Sequence, residues 1–234
     1  MALPQLNTSV YELELPSTGE TLHYRPFLVK EQKMLMIAQE SENDKVIEKA
    51  FADIVTSCVE EKIDPYALPL FDVEFIFLKL RSKSMGEKVT LNLAHPDDDK
   101  SMMEVELDLD DINVQMEEGH VNEIQLTDDI KIVMKYPTLK DMSKFDSKGY
   151  VKSVFGVIRD CITEVHDGDT VHAMIDISAK EMDNFIDTMT TEHFEKVNQF
   201  FETMPKLQHE VELIHPKTKK KGTVKIEGLE SFFA

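Results

Sequence analysis

Residues 89–112 run Val89-Thr-Leu-Asn-Leu-Ala-His95-Pro96-Asp97-Asp98-Asp99-Lys100-Ser-Met-Met-Glu-Val-Glu-Leu-Asp-Leu-Asp-Asp-Ile112, and residues 209–229 run His209-Glu-Val-Glu-Leu-Ile-His215-Pro216-Lys217-Thr-Lys219-Lys220-Lys221-Gly-Thr-Val-Lys225-Ile-Glu-Gly228-Leu229. Both stretches have one layout: an alternating strand, a His-Pro dipeptide, a charged turn and a second alternating strand. Alternation of period two puts successive side chains on opposite faces, so each stretch reads as a β-hairpin with one apolar face. The turns differ in sign: Asp97, Asp98 and Asp99 in the first, Lys219, Lys220 and Lys221 in the second. One small module used twice with its charge reversed is expected to face two different partners. These six residues are therefore candidate partner contacts.

Outward from the hairpins, residues 10–15 alternate, meet the turn Pro16-Ser-Thr-Gly-Glu20, and residues 21–28 alternate again, which predicts a first hairpin. Helical spacing begins near Val29, with Met34, Leu35, Ile37 and Ala38 on one face. Asn43 or Asp44 can cap a second helix reaching about Lys62. The most apolar stretch, residues 70–80, predicts a core helix to Ser84 ended by Gly86. Period two then returns, with strands expected near 112–116, 121–126 and 129–136. Helices are expected over 138–146 and 149–165, the latter with Val151, Val154, Phe155, Ile158 and Ile162 inward. Residues 166–178 read as a short strand or an extended loop. Two more helices follow, one capped by Ser178 and one opened by Thr190 with an acid-containing capping box. The fold class is α+β, with antiparallel hairpins, two of them similar and ribbon-like, segregated from a helical core. A boundary near 118–137 divides the chain into 1–117 and 118–234, or leaves one continuous domain.

The 234 residues can bury a substantial core, and 41% hydrophobic with 30% charged residues is ordinary for a globular protein. The formal net charge of −19 is not ordinary. It argues against nucleic acid and anionic membranes as partners, because both need clustered Lys and Arg. Between Asp97 and Asp129 there are thirteen Asp or Glu against one Lys, Lys100. That run reads as a solvated sheet face or as a docking surface for a basic partner; no stretch has the spacing of a calcium-binding EF-hand loop. Two cysteines offer no disulfide framework. With no basic-then-apolar leader and no apolar run near the ~20 residues that span a bilayer, a soluble cytoplasmic protein is expected.

Chemistry is sparse. The two hairpins resemble zinc-ribbon knuckles, but each turn carries His-Pro and no cysteine, and His95 with His215 cannot supply four ligands. The segment Cys161-Ile-Thr-Glu-Val-His166-Asp-Gly-Asp169-Thr-Val-His172 is the one cluster that looks enzymatic. It supports the alternative of a thiol enzyme or small metal-dependent hydrolase centred on Cys161 and His166, and also reads as a polar turn after a helix. No phosphate-cradling, dinucleotide, nucleophile-elbow or zincin motif is present, so no cofactor and no small-molecule substrate are expected. The final Phe232-Phe233 is either tucked into the core or offered to a neighbour.

The run Leu15-Pro-Ser-Thr-Gly-Glu20, with Arg25-Pro-Phe-Leu-Val-Lys-Glu-Gln-Lys33, resembles the N-terminal signature of the T4-like phage baseplate hub subunit and hub-assembly family. The stretch Leu68 to Glu87 resembles that family's central signature, and Gly228-Leu-Glu-Ser-Phe-Phe233 its ending. The resemblance implies a non-enzymatic protein that binds other hub or tail components, found in the cytoplasm of the infected host or in the virion baseplate. Some members carry Cys-x-x-Cys pairs near the two turns. His-Pro stands there in this chain, so no metal site is carried over.

Overall fold

A computed structural model describes residues 7–41, 43–142, 144 and 149–232. In chain order these form β1 (Tyr11–Glu14), β2 (Thr21–Tyr24), α1 (Val29–Glu40), α2 (Asp44–Cys58), α3 (Leu70–Met85), β3 (Lys88–His95), β4 (Asp98–Asp108) and β5 (Asn113–Gln115). There follow β6 (Glu123–Gln125), β7 (Ile130–Met134), α4 (Leu139–Met142), α5 (Tyr150–Cys161), β8 (Ile162–Asp167) and β9 (Thr170–Ala173). The remainder is α6 (Ala179–Asp187), α7 (Thr191–Thr203), β10 (Lys206–Ile214) and β11 (Lys221–Glu227). The strands pair as β1-β2, β3-β4, β11-β10-β5 and β6-β7-β8-β9, antiparallel throughout, which makes the protein α+β as expected.

The chain divides into two compact units, Met1–Gln115 with Lys206–Ala234, and Met116–Pro205. This differs from the expected halves 1–117 and 118–234, because the second His-Pro hairpin belongs with the first. The reason is visible in the register: β5 and β10 pair Gln115 with Lys206, so the chain leaves the first unit and re-enters it on adjacent rungs.

The first unit is built around α3, which is apolar nearly all round. Phe71, Val73, Phe75, Ile76, Phe77, Leu78 and Leu80 are all buried. Gly86 ends the helix at φ 107°, a conformation that costs a side-chain-bearing residue. The two stretches that carry the family resemblance meet here. Ser17, in the β1–β2 turn, donates its amide and hydroxyl hydrogens to the buried Asp72 carboxylate. Phe27 packs on Phe77 and donates its amide to Ser84 Oγ. Arg25 reaches Glu31 at 2.8 Å and the Ser57 carbonyl at 2.8 Å. Downstream, the Lys79 ammonium donates to the carbonyls of Leu109, Asp110 and Ile112 at 3.0–3.4 Å, pinning the loop after β4. Leu109 and Ile112 are fully buried there, each contributing about 1.5–3 kcal/mol by burial.

α1 departs from its reading. Glu31 and Ala38 are its buried positions, while Met34 and Ile37, read on one face with Ala38, are exposed. Burial raises the cost of ionising Glu31, yet the hydrogen bonds from Arg25, the Leu28 amide and Lys30 together hold its pKa below the usual carboxylate value. The helix is thus anchored by a buried charge pair as much as by apolar packing.

In the second unit, the sheet β6-β7-β8-β9 and helices α4–α7 enclose Ile124, Leu126, Ile132, Met134, Ile158, Ile162, Met182, Val197 and Phe200. The helix expected over 149–165 stops at Cys161, and Ile162–Asp167 becomes β8, pairing Val165 with Ile132. Val151 and Phe155, expected inward, are exposed. The region 166–178 holds β9 and a single 3-10 turn, Met174–Asp176. Ser178 caps α6 reciprocally with Glu181. Thr190 caps α7, and the residue reaching back to it is His193, not an acid. The helix expected over 138–146 is described only as Leu139–Met142, since 143 and 145–148 lie outside the described residues.

Candidate functional site

The alternating pattern of each hairpin sorts its residues into an apolar and a polar face. In the first, Val89, Leu91 and Leu93 stand opposite Leu107, Val105 and Met103; in the second, Val211 and Leu213 stand opposite Val224 and Gly222. The outer face of β4 carries Glu104 and Glu106, exposed and opposite Asn92 and Thr90. Much of the acid between Asp97 and Asp129 has a partner inside the chain. Glu106 meets Lys88, Asp110 meets Lys83 and Ser82, and Glu123 meets Lys131.

Both hairpins lie in the first unit, and their turns meet. His95 and His215 are buried, with ring centroids 5.1 Å apart in an edge-to-face contact. Each imidazole does two jobs. The Nδ1 of His95 accepts the Asp97 amide at 3.2 Å, and the Nδ1 of His215 accepts the amides of Lys217 and Thr218 at 3.1 and 3.2 Å. Each therefore closes its own turn, as Asx side chains do. Each Nε2 points across to the other hairpin. His95 Nε2 donates to the Lys220 carbonyl at 3.3 Å, and His215 Nε2 donates toward Ser101 Oγ at 3.3 Å and Asp98 Oδ2 at 3.4 Å. With Nδ1 accepting a backbone amide in each ring, the hydrogen that reaches across is the one on Nε2.

Charge completes the joint. Lys220 Nζ sits 2.7 Å from Asp97 Oδ2, and that hydrogen bond is the main reason the Asp97 carboxyl is held below its ordinary pKa. Asp98 is likewise lowered, first by Ser101 and the Lys100 amide, then by His215. One pair across the turns, Lys220 with Asp97, thus uses their opposite signs within the chain. Lys221 pairs with Glu212 of its own hairpin at 2.7 Å, and Lys219 is exposed at φ 60°. The Asp99 and Phe233 side chains lie outside the described residues. Phe232 is fully buried. Of the two alternatives for the chain end, that residue takes the tucked one.

The enzyme-like segment is spread apart. Cys161 is fully buried in the core of the second unit, and burial pushes its thiol up to about 12. A thiol so placed is almost wholly protonated at neutral pH and is a poor nucleophile. His166 bonds Glu164 through Nε2 at 2.7 Å. The β8–β9 register pairs His166 with Val171 and Val165 with His172, so the two histidines face opposite sides of the sheet. Among the described residues, no group of three or more His, Cys, Asp or Glu is placed to hold a metal ion. No described helix is long and apolar enough to cross a membrane.

The sequence signal that marked the joint was the repeated His-Pro. What it could not show was that Pro96 seats against Gly222. A β-carbon at 222 would lie 2.5 Å from Pro96 Cγ. A family model described as T4 bacteriophage base plate protein matches residues 8–234. No curated protein and no solved structure matches the chain.

Proposed function

Because the chain belongs to the T4 bacteriophage base plate protein family, and so is a structural protein of the phage tail baseplate, we propose that it works in the central hub, binding other hub or tail proteins without catalysing a reaction. The observation that carries this reading is the cross-tied joint of the two His-Pro turns. It draws the two ends of the chain into one unit and leaves a tip of mixed charge, with Asp97, Lys219, Lys220 and Lys221 on its rim. A rim of this kind fixes register and speeds encounter with a complementary surface. Buried polar machinery at the joint is spent on holding the hairpins together, which suits a component whose task is shape. Cys161, the one thiol in the enzyme-like segment, is deep in apolar packing, and that supports binding over catalysis. A net charge of −19 keeps such a component soluble in the host cytoplasm until its partners cover part of it.

The test is quantitative mass spectrometry of purified particles beside soluble lysate of infected cells. A small fixed copy number per particle is the expected result for a hub subunit. Abundance in lysate complexes with none in particles would replace the subunit by an assembly factor that leaves. Particles that lack the protein, from lysates in which it joins no tail component, would end the hub reading.

A further inference from the structure

We infer that the outer edge of β4 takes up an extended basic segment of another tail protein, which adds to β3 and β4 as a third strand. At eleven residues β4 is the longest described strand, and it pairs on one side only, with β3. The Leu109 amide sets the phase of that pairing by donating to the Glu87 carbonyl at 2.7 Å. Backbone groups alternate in an antiparallel ladder, so Met103, Val105 and Leu107 bond toward β3, while Met102, Glu104 and Glu106 aim their amides and carbonyls away from it. None of these outward groups meets a described residue. Three open rungs in succession are a template for another strand. The template is also held in place. The His95–His215 joint ties the tip of the hairpin, and the carbonyls that Lys79 gathers fix its base. An edge ordered beforehand loses less freedom on binding.

Side chains select the segment. Period two puts Met102, Glu104, Glu106 and Asp108 on the outer face, opposite Ala94, Asn92, Thr90 and Lys88. Three carboxylates there stand against one ammonium, Lys88, so the face stays negative after the Lys88–Glu106 pair is counted. No described ion pair or hydrogen bond engages the Glu104 side chain. Lys100, nearer the turn, is balanced by Asp98, which also accepts its amide at 3.1 Å. On the other face Met103 and Val105 are half-buried and Leu107 is buried, so an added strand brings its own apolar side chains beside them. The matching segment alternates Lys or Arg with Val, Ile or Leu. The β4 edge of a second copy does not match: paired about a two-fold axis, Glu104 of one falls opposite Glu106 of the other. The acids that guard this edge against its own copy therefore admit a basic strand.

This inference rests on the reading of the protein as a component that binds other tail proteins, and it can fail while mass spectrometry of particles upholds that reading. A fluorescent alternating Lys/Val nonapeptide is titrated with the full chain at low salt, followed by anisotropy and by amide hydrogen exchange. Saturable binding is expected, with new protection at Met102, Glu104 and Glu106. A strand bonds its neighbour through every second residue. Of two peptides N-methylated on the two alternate sets of residues, one should therefore lose binding and the other keep it. Glu104→Lys with Glu106→Lys should weaken binding on the order of tenfold or more. Its thermal melt should change little, because both side chains are exposed and an exposed pair with Lys88 contributes little. Equal binding of a Glu/Val peptide, protection confined to another strand edge, equal behaviour of the two methylated peptides, or unchanged affinity in the charge-reversed variant would overturn the inference. So would the absence of binding, and so would sedimentation showing self-association that this variant abolishes.

Discussion

Pro96 occupies the space that any side chain at Gly222 would need: a β-carbon there would stand 2.5 Å from Pro96 Cγ, 2.9 Å from Pro96 Cδ and 3.0 Å from His95 Nε2. Glycine at 222 is thus required by contact between hairpins and not by its own turn. Gly222→Ala should destabilise the first unit by about 1–3 kcal/mol through overpacking. Pro96→Ala removes the opposing ring atoms, so the double variant should lose less than the two single losses added together. Denaturant melts of the four proteins give the coupling directly. Strict additivity would mean that the hairpins part easily and that the joint is not a fixed contact.

Glu31 and Arg25 give a second, independent handle on the first unit. The carboxylate is buried, accepts from Arg25 at 2.8 Å and from the Leu28 amide at 2.9 Å, and sits at the first turn of α1. Glu31→Gln leaves the guanidinium without its counterion and should cost about 3 kcal/mol, the low end for breaking a buried pair because Arg25 retains some exposure. The loss should be local, so amide exchange across Val29–Glu40 should speed up more than exchange in α3. A variant as stable as the parent, with α1 equally protected, would show that apolar packing alone seats the helix.

These sites also mark where the sequence was readable and where it was not. Alternation and the repeated His-Pro identified both hairpins, because period two survives whatever the strand packs against. The register Leu91↔Val105 and Val211↔Val224 is that alternation realised. α1 misled because its inner stripe is chosen by Arg25, a residue outside the helix, and helical spacing cannot reveal an external counterion. The run 158–165 misled for a different reason. Ile158, Ile162 and Val165 fit i, i+4, i+7, yet pairing with β7 turns the chain to a strand after Cys161. Tertiary pairing outweighs local preference there. Of the candidate contacts, the sign of each turn was legible, but that Asp97 would meet Lys220 was not, since nothing local couples positions so far apart in sequence.

The cysteines should be inert in the native protein. Cys58 and Cys161 are both buried, and burial is the leading cause that pushes their thiols up to about 11 and about 12. A thiol-reactive disulfide reagent should titrate neither until denaturant is added, and then each as its own unit unfolds. A fast native reaction at Cys161 would revive thiol chemistry for the segment that ends at His172.

The second unit carries a built-in acid sensitivity at His120. Its ring lies against Tyr136 and Phe200, with centroids 5.6 and 5.1 Å away. Thr203 gives its hydroxyl hydrogen to the Gln199 carbonyl, so His120 Nδ1 must be the donor to Thr203 Oγ1, at 2.9 Å. That leaves Nε2 as a bare acceptor, buried and without a partner. A proton added there would become a buried charge with nothing to receive it, and burial accordingly lowers the His120 pKa from its ordinary 6.5. The folded value lies below the unfolded one, so the unfolded chain takes up the proton first. The contribution to stability is complete above about pH 6.5 and is lost as pH falls from there toward the folded value. Calorimetry should therefore show the parent protein melting lower at about pH 5.5 than at about pH 7.5. His120→Phe keeps the aromatic contacts, gives up the Thr203 bond, and should flatten that part of the slope while lowering stability at neutral pH. If the two proteins lose stability in parallel across this range, the acid sensitivity lies elsewhere and the unpartnered Nε2 is not its source.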